Sequence, residues 1–439
     1  MLISAKPIPV DGDHVLRGRW ADAPIAATVV ALAYAQLRHR DISDTELALG
    51  LVASVAIVMS AIEYRRANIG VVRPRLNWRD AAARVARNWV EAMLGAIVVV
   101  GFWTLVRVEY GRPEFRPLWE ALDVSLPVVA PAVLLHAVIA EWRLGRTRDS
   151  GTPVLSLLLA GRSGVDVDGL RRTALSLLVR AIFLPLNFCS LVGVLHHFRW
   201  YEYDLLTGRY GGAETGVVIY GLLIAAITPG YLFSSRLLAT QVKSVDSSPL
   251  AWCVTLACYS PFSALIFDRL LDYRARAGGS LTYKSYVDIL EYRPGLSALV
   301  IFAALMCQLF HYWGEATFGL RSSNLSNRGI IVDGPYRFTK HPVYLSKCVG
   351  WFIIYCPVFA NDALGVLRST ALLGSVFLIF ALRARCEERF LSGDPSYVAY
   401  ALSMDSKGMF APLSRRICSL RFSSRLERWR YAQEKHSQR

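Results

Sequence analysis

The residues able to do chemistry gather in one part of the chain. Gly334-Pro335-Tyr336-Arg337 leads into Lys340-His341-Pro342-Val343-Tyr344, and an apolar stretch separates these from Glu387-Glu388, Asp394-Pro395, Tyr397 and Tyr400. Taken singly, each part has a plain structural reading. Gly334-Pro335 is a good turn pair. Proline suits the first turn of a helix, so His341-Pro342 reads as a helix start. Arg383 and Glu387 have helical i, i+4 spacing, the pattern of a surface ion pair that contributes about 0.3–0.5 kcal/mol. Tyr397 and Tyr400 fit an interfacial aromatic belt. Only the joint order of these parts, and the elements that carry them, favour a site.

Those elements are set by composition. The chain has 439 residues, 54% of them hydrophobic, against about 45–50% in soluble proteins. Apolar runs lie at 21–37, 44–62, 89–108, 124–141, 172–195, 213–234, 249–268, 296–312, 343–360 and 365–384, each near the roughly 20 residues that cross a hydrocarbon core as helix. They lack the alternation of a β-barrel strand. The expected fold is therefore all-α, a polytopic integral membrane protein with about ten transmembrane helices. The formal charge of +15 sits in blocks between the runs, a topology pattern that speaks against a nucleic-acid partner. Placing the basic loops 63–88 and 142–171 and the tail from Arg415 inside obeys the positive-inside rule, with both termini in the cytosol, although Arg38–Arg40 breaks it. The opening residues lack the apolar region of a cleavable signal, so the first run is expected to act as its own insertion signal. The stretch 152–160 is apolar but short, and reads as interfacial. Eight scattered cysteines show neither a disulfide framework nor a zinc spacing. Preference for Arg over Lys leans towards a bacterial inner membrane.

Asn361-Asp362-Ala363 joins the last two runs into a hairpin, which brings 334–344 close to 383–390 on the cytosolic face. A polar site at that surface avoids the cost of charge in hydrocarbon. The polar segment Asp268 to Pro294 marks a boundary, giving a multi-span region 1–290, a core 291–412 and a basic tail 413–439.

In that order and setting, the Gly334–Arg337, Lys340–Tyr344, Glu387-Glu388, Asp394-Pro395 and Tyr397/Tyr400 elements resemble the C-terminal signature of the isoprenylcysteine carboxyl methyltransferase and phospholipid methyltransferase superfamily, over roughly residues 296–412. The resemblance implies an S-adenosylmethionine pocket at the cytosolic mouth of the hairpin, with a lipid-embedded or prenylated acceptor approaching from the bilayer. It implies that Arg337 and His341 bind the methionine carboxylate and that Tyr344, Tyr397 and Tyr400 offer aromatic faces to the sulfonium. Glu387 and Glu388 would accept from the ammonium or the ribose hydroxyls. Methyl transfer is an in-line displacement that needs no metal, and a carboxylate acceptor needs no base, so no catalytic residue is assigned. Two departures stand out. Lys340 replaces the usual Arg and loses its planar fork, and ALSMDSKGMFAP follows Tyr400 without the usual Arg, leaving Lys407 as its nearest substitute.

Two other functions compete. A sterol-type NADPH-dependent reductase has a similar hairpin but usually carries Asn where Pro342-Val343 stands. A transporter or scaffold with a vestigial core would show broken helices in matching halves; Pro185 and Pro229 are breaks, but no matching halves are seen. His196, His197, Glu202 and Asp204 lack a fixed ligand spacing and read as a solvated loop. His136, Glu141 and Arg180 are ionisable residues in or beside runs and stay unassigned. Asn324-Leu325-Ser326 matches a glycosylation acceptor on the cytosolic side, where it would not be used. The sequence specifies neither the acceptor nor the oligomeric state.

Overall fold

A computed structural model describes residues 15–16, 19–67, 78–110, 116–144, 167–206, 212–232, 234–235, 237–259, 261–271, 294–355 and 363–437, most of them helical. The N-terminal part holds α1 (Asp22–Leu37), α2 (Asp44–Arg66), α3 (Trp78–Tyr110), α4 (Arg116–Leu144), α5 (Val167–Leu206), α6 (Gly212–Leu232) and α7 (Pro249–Leu256). A π-helical turn, Ala264–Leu270, follows. The C-terminal part holds α8 (Pro294–Ala316), α9 (Pro342–Ile354), α10 (Ala363–Leu391), α11 (Pro395–Lys407), α12 (Ala411–Arg416) and α13 (Phe422–Ser437). Two-residue strands tie the parts together. β1 (Val15–Leu16) runs parallel to β4 (Ile330–Ile331), and β2 (Ser244–Val245) runs antiparallel to β3 (Ser326–Asn327).

Local sequence explains several boundaries. Ser43 accepts from the Glu46 backbone while the Glu46 side chain accepts from the Ser43 backbone, a capping box that starts α2. Pro127 and Pro131 lie inside α4, where the segments Trp119–Ser125 and Pro127–Arg143 meet at 57°. A proline removes a backbone donor and clashes with the preceding turn, which accounts for the bend.

Among the described residues, four helices are long and apolar enough to cross a membrane: Asp44–Arg66, Val167–Phe198, Ala298–Ala316 and Ala363–Leu391, with the bent α4 pair a fifth. Four further apolar helices, Asp22–Leu37, Ala92–Phe102, Gly216–Leu232 and Pro342–Ile354, are shorter. The expected span at 249–268 is not one helix, because α7 ends at Leu256 and a turn precedes the π-helical segment. Large apolar side chains such as Leu299, Phe302, Leu364, Leu367 and Leu378 are exposed on α8 and α10, as lipid-facing helices require. Residues 152–160, most of the Asp268–Pro294 segment and the Asn361-Asp362 connection lie outside the described residues.

The N-terminal helices pack directly on the C-terminal core. Ala23 and Ala26 of α1, Ile219, Leu223 and Ala226 of α6, and Tyr312 and Ala316 of α8 form one buried cluster, and Tyr312 donates its hydroxyl to the Ala23 carbonyl at 2.7 Å. α8 and α9 approach closely at Gly314, where a Cβ would lie 2.8 Å from Val343 Cγ2. A buried ion cluster reinforces the junction. Glu63 of α2 receives Arg19 at 2.7 Å, Arg321 at 3.2 Å and Arg66 at 3.6 Å, while Asp22 holds Arg66 at 2.7 Å and Arg19 at 3.3 Å. Burial, with the neighbouring Arg19 charge, lowers the Arg321 guanidinium to about 10.

Other sequence features take structural roles. His196, His197, Glu202 and Asp204 lie on α5 rather than on a loop, and the exposed His196 meets Asp44 at 3.0 Å. Among the described residues no group of acids, histidines or cysteines is placed to hold a metal. Glu141 is buried and accepts from Arg84 Nε at 2.6 Å, and His136 Nε2 meets Ser235 Oγ at 2.9 Å.

Candidate functional site

The turn Asp333–Arg337 begins the site. Gly334 sits at φ +60°, a backbone region that suits glycine, and a Cβ there would press on Trp313 and Thr317 at 3.3 Å. The 3-10 turn it starts directs Tyr336 inward and leaves Arg337 exposed. The Tyr336 carbonyl accepts from the Tyr400 hydroxyl at 2.7 Å, which fixes α11 against this turn. Pro342 then opens α9 as its first residue, with His341 at the N-cap position.

α10 returns alongside α9 and brings its two carboxylates to the same place, where they do different work. Tyr344 donates its hydroxyl to Glu387 Oε2 at 2.8 Å. Glu388 is buried instead among cations. Lys340 Nζ lies 2.8 Å and His341 Nε2 3.2 Å from its Oε1, and Arg425 pairs with its Oε2. Arg425 comes from α13, whose first backbone N–H groups, those of Phe422 and Ser423, donate to Asp405 at 3.0 and 2.9 Å. Phe422 is fully buried beside Tyr397. Residues 413–437 are therefore folded onto the core rather than trailing from it. No sequence pattern singled out Arg425.

A cavity with an enclosed volume of about 150 Å³ opens beside Glu387, and His341, Tyr344, Glu387, Tyr397 and Tyr400 all line it. Arg337 does not, and Glu388 stands behind the wall. The His341 and Tyr344 rings stack at 5.5 Å with 17° between their planes. Arg383, expected to pair with Glu387, turns to Asn324 Oδ1 at 2.7 Å and lies over the Tyr344 and Tyr259 rings at 5.2 and 5.5 Å. Asn324 in turn donates to the Tyr231 and Tyr259 hydroxyls at 2.8 and 2.9 Å. Its amide is thus committed to the site wall, and sequence reasoning, which saw only a glycan motif, missed it. The Tyr397 hydroxyl is buried with no hydrogen-bond partner among the described residues. Burial and the Glu388 and Glu387 charges hold its pKa well above that of a free phenol, so it stays a neutral donor.

Asp394 is structural. Its Oδ1 accepts from the Ser396 backbone at 2.9 Å as the cap of α11, and its Oδ2 from Asn327 Nδ2 at 2.9 Å. Asp394→Ala is expected to cost about 1 kcal/mol, the usual loss for an N-cap, measured as a small drop in the thermal unfolding midpoint of the purified protein.

Aromatic faces, carboxylates and several hydrogen-bond donors thus line a single cavity. No curated protein and no solved structure was found to match the chain. Residues 296–393, from α8 to the end of the turn after α10, match the model of the isoprenylcysteine carboxyl methyltransferase (ICMT) family, a stretch that contains His341, Tyr344, Glu387 and Glu388.

Proposed function

We propose that the protein is an S-adenosylmethionine-dependent methyltransferase acting on a lipid-embedded or prenylated acceptor at the cytosolic membrane face, with both chain termini on that side. The reading rests chiefly on Glu387, a carboxylate on the wall of a cavity rimmed by aromatic rings, in the region that matches a methyltransferase family.

The residues suit such a donor in kind. Glu387 would accept from its ammonium or ribose hydroxyls, and the unsatisfied Tyr397 hydroxyl is a donor waiting for an acceptor. Tyr344, stacked on His341, offers a ring face to a sulfonium. Arg383 and Lys340 line the cavity and are better placed than Arg337 to meet a carboxylate. When bound, S-adenosylmethionine supplies an electrophilic methyl group. This chain's residues would hold it, exclude water with the aromatic rim, and orient it towards the acceptor, so that positioning lowers the barrier. The enclosed 150 Å³ falls below the about 300–1,000 Å³ of ordinary ligand pockets, so the donor would extend into the open mouth, where the acceptor arrives.

Titration of the purified protein with S-adenosylhomocysteine tests the reading. Saturable binding is expected, with none for NADPH; the reverse would favour a reductase. Glu387→Gln keeps the shape and the Tyr344 contact but removes the charge. It is expected to weaken S-adenosylhomocysteine roughly 10- to 100-fold, the range for losing a hydrogen bond to a charged group, with the unfolding midpoint unchanged.

A further inference from the structure

We infer that Arg337-Phe338 and the segment 407–417 form a docking surface for the anionic phospholipid head groups of the bilayer that holds the helices. These residues lie outside the lining of the methyl-donor cavity, and the inference does not depend on that reading.

Phe338, Met409, Phe410, Leu413 and Ile417 are between 43% and 57% exposed, whereas a water-facing surface scatters large apolar side chains singly. They are held in place by the fold. The Met409 backbone N–H donates to the Phe338 carbonyl at 2.9 Å, and Arg421 donates to the Ser414 and Arg415 carbonyls at 2.9 and 2.6 Å. The chain therefore displays these side chains when it could have buried them. Their place is at the end of the hairpin. Only Thr339-Lys340-His341 separate Phe338 from Pro342, the first residue of the apolar α9.

The charges decide which bilayer surface fits. Arg337, Lys407, Arg415 and Arg416 are exposed beside these apolar residues, and no acid occurs from Ser406 to Arg421. Arg415 donates to the Ser406 carbonyl at 3.3 Å. Among the described residues the Arg337 and Arg416 guanidiniums make no hydrogen bond or ion pair. Apolar side chains with Lys and Arg around them are the composition of an anchor that lies in the head-group layer, and clustered cations next to a spanning helix favour anionic lipid. Each guanidinium can pair with phosphate oxygens through charge-assisted hydrogen bonds. A zwitterionic surface carries no net charge to hold four cations together. Arg337 thereby gains a use outside the cavity. It follows Tyr336 directly, so docking would hold the turn that carries Tyr336 at the membrane surface.

Photo-crosslinking of the full-length protein in nanodiscs of equimolar phosphatidylcholine and phosphatidylglycerol tests the surface. p-Benzoylphenylalanine replaces Phe410 in one preparation and Leu378, which is exposed on the spanning α10, in a reference preparation. Lipid adducts are then identified by mass spectrometry. Phosphatidylglycerol is expected to be enriched roughly tenfold at position 410 over its share at position 378, the scale for a few basic residues at an anionic surface. The double variant Arg337→Gln with Arg416→Gln is expected to bring the two positions near parity, and the corresponding Lys pair to retain most of the enrichment. Adducts at position 378 confirm that each preparation is embedded, and Lys407→Gln with Arg415→Gln gives the same direction should the first variant fold poorly. Absence of lipid adducts at position 410, adducts there to protein alone, the same lipid ratio at both positions, or an enrichment untouched in the Gln variants would overturn the inference.

Discussion

Glu388→Ala is expected to destabilise the protein by about 3–5 kcal/mol, the cost of breaking a buried ion pair by removing one partner. Lys340, Arg425 and the His341 imidazole converge on this one carboxylate, which is 3% exposed. Without it Lys340, His341 and Arg425 face one another across a void, with Asp405, 4.0 Å from Lys340, the nearest remaining acid. The effect should spread to both walls of the site, because Lys340 and His341 immediately precede α9 and Arg425 anchors α13. Thermal unfolding of Glu388→Ala beside Glu387→Gln makes the comparison. A large fall in midpoint for the first and a selective loss of S-adenosylhomocysteine binding for the second is the expected pattern. A stable Glu388→Ala protein that no longer binds the ligand would make Glu388 a direct contact instead.

The division of labour between these adjacent acids could not be read from their sequence. On a helix, consecutive residues point about 100° apart, so one of the pair must turn from any surface the other faces, but the spacing does not say which. The partners decide it, and one of them, Arg425, lies 37 residues downstream of Glu388 in the segment read from sequence as a basic cytosolic tail. What folds the tail back is apolar, Phe422 and Leu426 packing with Tyr397 and Tyr400. Arg337 is the opposite case, exposed and outside the cavity lining. Its place beside Tyr336 was legible, but the 3-10 turn sends neighbouring side chains to different sides, and Tyr336 took the inner one.

The hairpin was more accessible to sequence reasoning, because proline is favoured in the first turn of a helix and the α9 and α10 runs are apolar enough to be recognised. Apolar content, however, does not fix helix length. The 13 residues of Pro342–Ile354, rising ~1.5 Å each, reach roughly 20 Å, short of the ~30 Å core of a bilayer. A short apolar helix can be buried by neighbouring protein as well as by lipid, and among the described residues four helices reach spanning length, or five with the bent pair. The ion cluster around Glu63 was invisible for another reason. Its members are drawn from the segment before α1, from the start of α1, from α2 and from the turn after α8, and nothing local signals that they meet.

That cluster gives the second large effect. Glu63→Ala leaves Asp22 alone against Arg19, Arg66 and Arg321, three guanidiniums close enough for each charge to disfavour the others. Arg19 and Arg321 are 2% and 4% exposed at the side chain, so water cannot take over the role of the lost carboxylate. The expected cost is again about 3–5 kcal/mol, seen as a lower unfolding midpoint or as loss of monodisperse protein on extraction. Glu63→Gln, which keeps the volume and one acceptor, should recover only part of it, since the charge carries most of the balance. The consequence should reach the distant cavity. Arg321 also donates to the Ala239 carbonyl at 2.8 Å, and the Arg19 backbone N–H donates to Asp333 at 3.4 Å, one residue before the Gly334 turn that carries Tyr336 and positions Tyr400. Weakened S-adenosylhomocysteine binding in folded Glu63→Gln protein would therefore mean that the N-terminal helices help to set the site's geometry. Unchanged binding would mean that they stabilise the core without shaping it.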